Sequence, residues 1–172
     1  FIKDVKSGLI APSISGYRKI IRSRAPVRIT FGGGGTDVSP YDKIYGGVCV
    51  NATINKYVYS SLKMRDDRKI NIKSDIINLY GGFESYSENY NMIEEVQITE
   101  NSKLNIIKAA ILEMNPQYGF DLYVRSEVPP NSGLGASASL CISVIGVLNH
   151  LRKKNRLTKH DIAETAFRSE QD

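Results

Sequence analysis

The chain is poor in cysteine and histidine and has no long apolar run. Two cysteines in 172 residues, Cys49 and Cys141, cannot build a disulfide framework. Each sits inside an apolar stretch, which reads as a buried free thiol in a reducing, cytoplasmic compartment. The two histidines, His150 and His160, fall on expected helices away from every motif below and read as surface residues. No apolar run approaches the roughly 20 residues of a membrane span, so no membrane partner is expected. No signal peptide is visible, although the first residue is Phe1 rather than Met. Charge of one sign is also modest. Lys and Arg number 23 against 18 Asp and Glu, a net +5. Apart from "LRKKNR" at 151–156, which reads as a solvated helix end, the cations are scattered, so charge gives no case for a nucleic-acid partner. A hydrophobic content of 41% with 24% charged residues excludes disordered and collagen-like chains.

What is present is a succession of strand patterns followed by paired helices. "APVRITF" (25–31) alternates Val27, Ile29 and Phe31 against Arg28 and Thr30, then ends in Gly32–Gly35. Residues 46–65 are rich in β-branched and aromatic side chains and read as one long strand or a hairpin. "KINIKS" (69–74) is a further strand and "EVQIT" (95–99) a weaker one. Residues 102–116 carry helical spacing and stop before Pro116. "GFDLYVRSEVP" (119–129) alternates as a half-buried strand. Leu140, Val144, Ile145, Leu148 and Leu151 mark a core-facing helix, and Thr158 with Asp161 marks a capping box opening another. This order predicts an α+β two-layer fold, a mixed sheet backed by helices. Residues 1–21 read as an extension or linker, and 22–172 as one domain. The last helical pattern breaks off at Asp172, as it would in part of a longer protein.

The segment between the last strand and its helix, "VPPNSGLGASASL" (128–140), has the composition of an anion site. A helix start offers unpaired N–H groups and the positive end of its dipole. Gly133 and Gly135 let the backbone approach an oxyanion. Ser132, Ser137 and Ser139 add hydroxyls suited to phosphate or Mg²⁺. The familiar glycine motifs are absent: no P-loop lysine, no Gly-x-Gly-x-x-Gly and no Gly-x-Ser-x-Gly. From local chemistry alone, a serine-capped helix start fits as well.

Two stretches carry a family resemblance. "PPNSGLGASAS" resembles the ATP motif of the GHMP small-molecule kinases, with Ala136 where the family has its first serine and Ser137 matching the second. About a hundred residues earlier, "APVRITFGGGGTDVSPY" and "GGVCVNATINKYVY" resemble the sugar-binding motif of the same family, most narrowly of its heptose phosphate kinases. The resemblance spans roughly 22–172. It implies the GHMP N-terminal domain, with a left-handed βαβ crossover against the general rule. It also implies ATP-dependent phosphorylation of D-glycero-D-manno-heptose 7-phosphate at the anomeric hydroxyl, with ATP and Mg²⁺ bound. The alternatives are a kinase for another sugar such as fucose, a non-catalytic sugar- or nucleotide-binding homologue, or a nucleic-acid-binding domain on a related sheet.

The resemblance also implies a role for each matched residue. Asn131, Ser132, Gly133, Leu134, Gly135, Ala136, Ser137 and Ser139 hold the ATP phosphates, and Ser137 and Glu170 hold Mg²⁺. Arg28 faces the transferring phosphoryl group. Gly34, Gly35, Thr36, Asp37 and Tyr41 bind the sugar, Asp37 through its carboxylate and Gly34, Gly35 and Thr36 through free backbone N–H donors. The family's general base and its C-terminal domain have no counterpart up to Asp172, so this chain alone is expected to bind nucleotide weakly and not turn over. The sequence does not give the oligomeric state.

Overall fold

The structure, a computed structural model, describes residues 20–78, 80–152 and 154–170. Of the extension expected over 1–21, residues 1–19 lie outside the described residues, while Ile20 and Ile21 already belong to the first strand. In chain order the elements are β1 Ile20–Gly32, α1 Tyr41–Tyr45, β2 Val50–Met64, β3 Ile70–Ile77, β4 Phe83–Tyr90, α2 Asn105–Met114, β5 Phe120–Ser126, α3 Ala136–His150 and α4 Lys159–Ser169. A 3₁₀ turn at Ile93–Glu95 precedes α2.

The strands form one mixed sheet in the order β1-β2-β5-β3-β4. Only β3 and β5 are parallel; β1–β2, β2–β5 and β3–β4 are antiparallel. Alternation sets one face inward: Val58, Leu62 and Met64 from β2 and Phe120, Leu122 and Val124 from β5 are buried. α3 packs across β1, β2 and β5 on that face, with α2 and α4 beside it. Ile107, Ile111, Val144, Ile145 and Leu148 meet the sheet there, each such side chain worth about 1.5–3 kcal/mol of burial. Two hydroxyls inside this layer satisfy each other, Ser60 and Ser143, at 2.6 Å. The capping box forms as expected: Thr158 Oγ1 accepts from Asp161 N–H and Thr158 N–H donates to Asp161 Oδ2. The connection from β3 through β4 and α2 to the parallel β5 is the crossover on which the layered fold turns.

Four local expectations fail, each for a physical reason. "EVQIT" is not a strand. Ile93 and Val96 are buried, Glu95 accepts from Asn91 N–H at 2.8 Å, and Thr99 exchanges two hydrogen bonds with the Asn105 amide at 3.2 and 2.7 Å. The segment is folded against the start of α2. The missing strand is "FESYSENY", β4. Its helix-side residues Glu84, Tyr86, Glu88 and Tyr90 are polar or aromatic-polar, so no apolar alternation betrays it. The apolar face read in "APVRITF" is buried only as far as Val27; Ile29 and Phe31 are exposed beyond the helical layer. In "LRKKNR", Arg152 is buried rather than solvated. Arg156 does meet the helix end, donating to the carbonyls of His150 and Arg152 at 3.0 and 2.9 Å. Cys141 is buried, which pushes its thiol up to about 12, but Cys49 is only half-buried.

Candidate functional site

The loop between β5 and α3 is bent by three left-handed residues, Asn131, Gly133 and Gly135, with φ of 59°, 72° and 71°. Gly135 is the N-cap of α3, and no side chain caps it. The first helical bond is Ser139 N–H to Gly135 O at 3.1 Å, so the N–H groups of Ala136, Ser137 and Ala138 precede the ladder. A helix start left without a side-chain cap keeps its donors for an outside anion. The serines divide. Ser139 turns inward and bonds the Pro26 and Gly135 carbonyls at 2.9 and 3.0 Å, so its hydroxyl serves the fold. Ser132 Oγ is buried with no hydrogen-bond partner among the described residues. Ser137 Oγ donates to the Glu170 carboxylate from α3 to the end of α4, across 33 positions of sequence.

The loop after β1 is closed on itself. Thr36 N–H and Thr36 Oγ1 both bond Gly33 O, at 3.0 and 2.7 Å, and Gly35 N–H donates to Asp37 Oδ1 at 3.1 Å. The Gly35 and Thr36 donors expected to be free are therefore used within the turn. Thr36 Oγ1 also accepts from Val48 N–H at 3.2 Å, tying this loop to the chain entering β2. The two segments touch backbone to backbone: a Cβ on Gly33 would lie 1.8 Å from Val48 O, and one on Gly47 would lie 2.2 Å from Thr36 O. "FGGGGTD" and "YGGVCV" are one unit because glycine alone allows that approach. Within it the Asp37 carboxyl is held below its usual range, first by its own backbone N–H, then by the Cys49 thiol, the Gly35 N–H and the Arg28 charge. Desolvation and the Asp37 carboxylate in turn push the Cys49 thiol up. Tyr41 lies exposed on α1 with its ring 5.1 Å from that of Tyr45.

Arg28 joins the two loops. Its backbone N–H donates to Leu134 O and its Nη1 to Gly133 O, both at 2.9 Å. Its side chain covers Gly135, where an added Cβ would meet the guanidinium at 3.4 Å. One cation thus lies against the glycine loop while the strand carrying it runs into the Asp37 turn. Beside the glycine loop opens a cavity of about 700 Å³. Its apolar walls include Ile76, Val124, Val128, Ile106 and Leu140, and its polar groups include Lys103 and Ser132. That size and mixture suit a small organic ligand. No cluster of three or more His, Cys, Asp or Glu side chains offers a complete metal cage among the described residues. The Ser137–Glu170 pair supplies only two hard oxygens.

A family profile described as the GHMP kinases N terminal domain matches residues 105–172, the stretch from α2 through the glycine loop to Glu170 and beyond. A D-glycero-alpha-D-manno-heptose 7-phosphate kinase of Campylobacter jejuni is 31% identical over 159 residues, 90% of this chain and 44% of the relative. The chain carries a GHMP kinase N-terminal domain. The same layered sheet occurs in a D-glycero-D-manno-heptose 1-phosphate kinase from Bacteroides thetaiotaomicron, with a TM-score of 0.70 at 26% identity over 90% of this chain and 48% of that one. A mevalonate kinase of Pyrococcus horikoshii is 24% identical over 88% of this chain and 44% of the relative. The chain thus spans about half the length of the relatives it matches.

Several residues of the GHMP domain's cavity escaped sequence reasoning. Asn78, Tyr80, Glu84 and Tyr86 come from the β3–β4 hairpin, and Lys103 precedes α2. The "YGG" at 80–82 was the available signal for that hairpin, because Gly81 takes φ +81° in the turn. No helix among the described residues is long and apolar enough to cross a membrane.

Proposed function

We propose that this chain forms the ATP- and sugar-binding half of a kinase that transfers the γ-phosphoryl group of ATP to the anomeric hydroxyl of D-glycero-D-manno-heptose 7-phosphate. The observation that carries this reading is Arg28, which bonds the glycine loop from the strand that leads into the Asp37 loop. A donor site and an acceptor site on one strand are what phosphoryl transfer needs, because its catalysis is positioning and charge neutralisation. The heptose 7-phosphate kinase relative supports the choice of sugar.

In this reading the open N-terminus of α3 receives the phosphates, and the adjoining cavity receives the base and ribose. The orphaned Ser132 hydroxyl gains a partner when they bind. Arg28 stabilises the negative charge that spreads over the transferring group. Mg²⁺, when bound, neutralises phosphate charge. Ser137 and Glu170 would hold it, being hard oxygen donors already in contact with each other. Asp37 is held ionised, so it accepts hydrogen bonds from sugar hydroxyls well and abstracts protons poorly. Tyr41 edges the same loop.

Calorimetric titration of the 172-residue chain with Mg·ADP and with heptose 7-phosphate tests the reading. Both should bind, and fucose, galactose and mevalonate should bind at least tenfold more weakly. The chain alone should not turn over. The full-length protein should give a product whose new phosphate ³¹P NMR places on the anomeric carbon. Preference for mevalonate, or no nucleotide binding, overturns it.

A further inference from the structure

The cavity mouth carries one aromatic ring that the fold does not use. Tyr80 stands at the tip of the β3–β4 hairpin and is 98% exposed, more than any other large hydrophobic side chain described. The backbone that presents it is closely specified. Asn78 N–H donates to Gly82 O at 2.8 Å, and Asn78 Oδ1 accepts from Tyr80 N–H and Gly82 N–H at 3.1 and 2.9 Å. A Cβ on Gly82 would press on the Asn78 amide at 3.2 Å. Asn78 thus ties the backbone of Tyr80 and Gly82, while the ring packs against nothing described. Yet Tyr80 lines the same cavity as the glycine loop. The other ring of that lining, Tyr86, is partly buried and bonds Glu84 with its hydroxyl.

We propose that Tyr80 is the base-stacking residue of this site, its ring laid on the heterocycle of the nucleotide whose phosphates the glycine loop holds. The proposal rests on the nucleotide reading above. An open helix N-terminus binds any polyphosphate; it does not tell a nucleotide from inorganic tripolyphosphate. A π-face on the lining of the same cavity does, because stacking on an aromatic ring changes affinity roughly 5- to 150-fold per base. Tyrosine suits this position, since its two side-chain torsions cost little to order and its hydroxyl stays in water at the tip.

The chain has no tryptophan, so Tyr80→Trp introduces a single indole reporter. Mg·ADP should quench or shift its emission. Inorganic tripolyphosphate, shown to bind by calorimetry, should leave the emission unchanged. Tyr80→Ala should weaken ADP about 10-fold with tripolyphosphate affinity unaltered, and Tyr80→Phe should restore ADP binding. Wild-type ADP affinity in the alanine variant, or unmoved emission at ADP saturation, overturns the stacking role alone. Failure of both ADP and tripolyphosphate to bind the wild-type chain overturns the phosphate site and the stacking role with it.

Discussion

Glu88→Ala should destabilise the domain far more than an ordinary edge-strand substitution. Lys108 on α2 has a side chain only 1% exposed, and its Nζ lies 3.2 Å from Glu88 Oε2 on β4. The hydroxyls of Ser102 and Tyr90 also donate to that carboxylate. Removing it leaves an ammonium in the core with the Thr99 hydroxyl, at 3.5 Å, as its one remaining hydrogen-bond partner among the described residues. Breaking a buried pair from one side costs about 3–5 kcal/mol. Glu88 is 30% exposed, so water enters part of the gap and the cost falls at about 3 kcal/mol. At about 2–4 °C per kcal/mol for a chain of this size, the melting temperature drops by about 6–12 °C. The double variant Glu88→Gln/Lys108→Met removes both charges and should return to within about 1 kcal/mol of wild type. The pH dependence has a definite sign. Burial raises the Glu88 carboxyl, but the bonds from Ser102, Tyr90 and Lys108 outweigh it and leave the group below the usual glutamate value of 4.5. Its stabilisation is complete above that value and is lost as pH falls through the lower folded value. Thermal and urea melts followed by circular dichroism from pH 7 to pH 3 measure both effects. A loss under 1 kcal/mol for Glu88→Ala at pH 7, or an acid slope unchanged in Glu88→Gln, refutes the reasoning.

Gly33→Ala meets both a left-handed backbone and the Val48 carbonyl, whereas Gly35→Ala meets only the backbone, at φ +89° in open space. Urea melts should show about 1–2 kcal/mol for Gly35→Ala and a clearly larger loss for Gly33→Ala. Ser132→Ala removes a buried hydroxyl that has no partner among the described residues, so the free protein should be unchanged or up to about 1 kcal/mol more stable while calorimetry shows weaker ADP binding. Glu170→Gln should weaken Mn²⁺ binding in the presence of ADP about tenfold, read by electron paramagnetic resonance; unchanged affinity would remove Glu170 from the metal site.

The fold was legible wherever packing follows a simple period. β5 and the buried half of β2 alternate cleanly, and α3 and α4 were marked by helical spacing and by the Thr158–Asp161 box. β4 was invisible because its inward face is Glu84, Tyr86, Glu88 and Tyr90, satisfied by partners such as Lys108 that lie distant in sequence. In the candidate site, both glycine loops were recognisable because close backbone approach leaves glycine as its trace. Ser137 and Glu170 were expected together as metal ligands; the hydrogen bond that joins them directly was not read from the sequence. The Arg28–Gly133 bond spans 105 positions, and no local pattern encodes it. The inward turn of Ser139 and the closed donors of Gly35 and Thr36 likewise depend on partners that one-dimensional spacing does not reveal.

β1 is also a measure of length. The glycine loop hangs from it through Pro26 O and Arg28, and the Asp37 turn begins where Gly33 locks beneath Val48. At about 3.3 Å per residue, the four steps of strand from Arg28 to the end of β1 at Gly32 span at most roughly 13 Å. That spacing is written in chain length rather than in side-chain chemistry. Substitutions among the exposed side chains of the Asp37 loop would leave that spacing unchanged. One residue gained or lost within β1 would shift the spacing by a full step and turn the following side chains to the opposite face of the sheet.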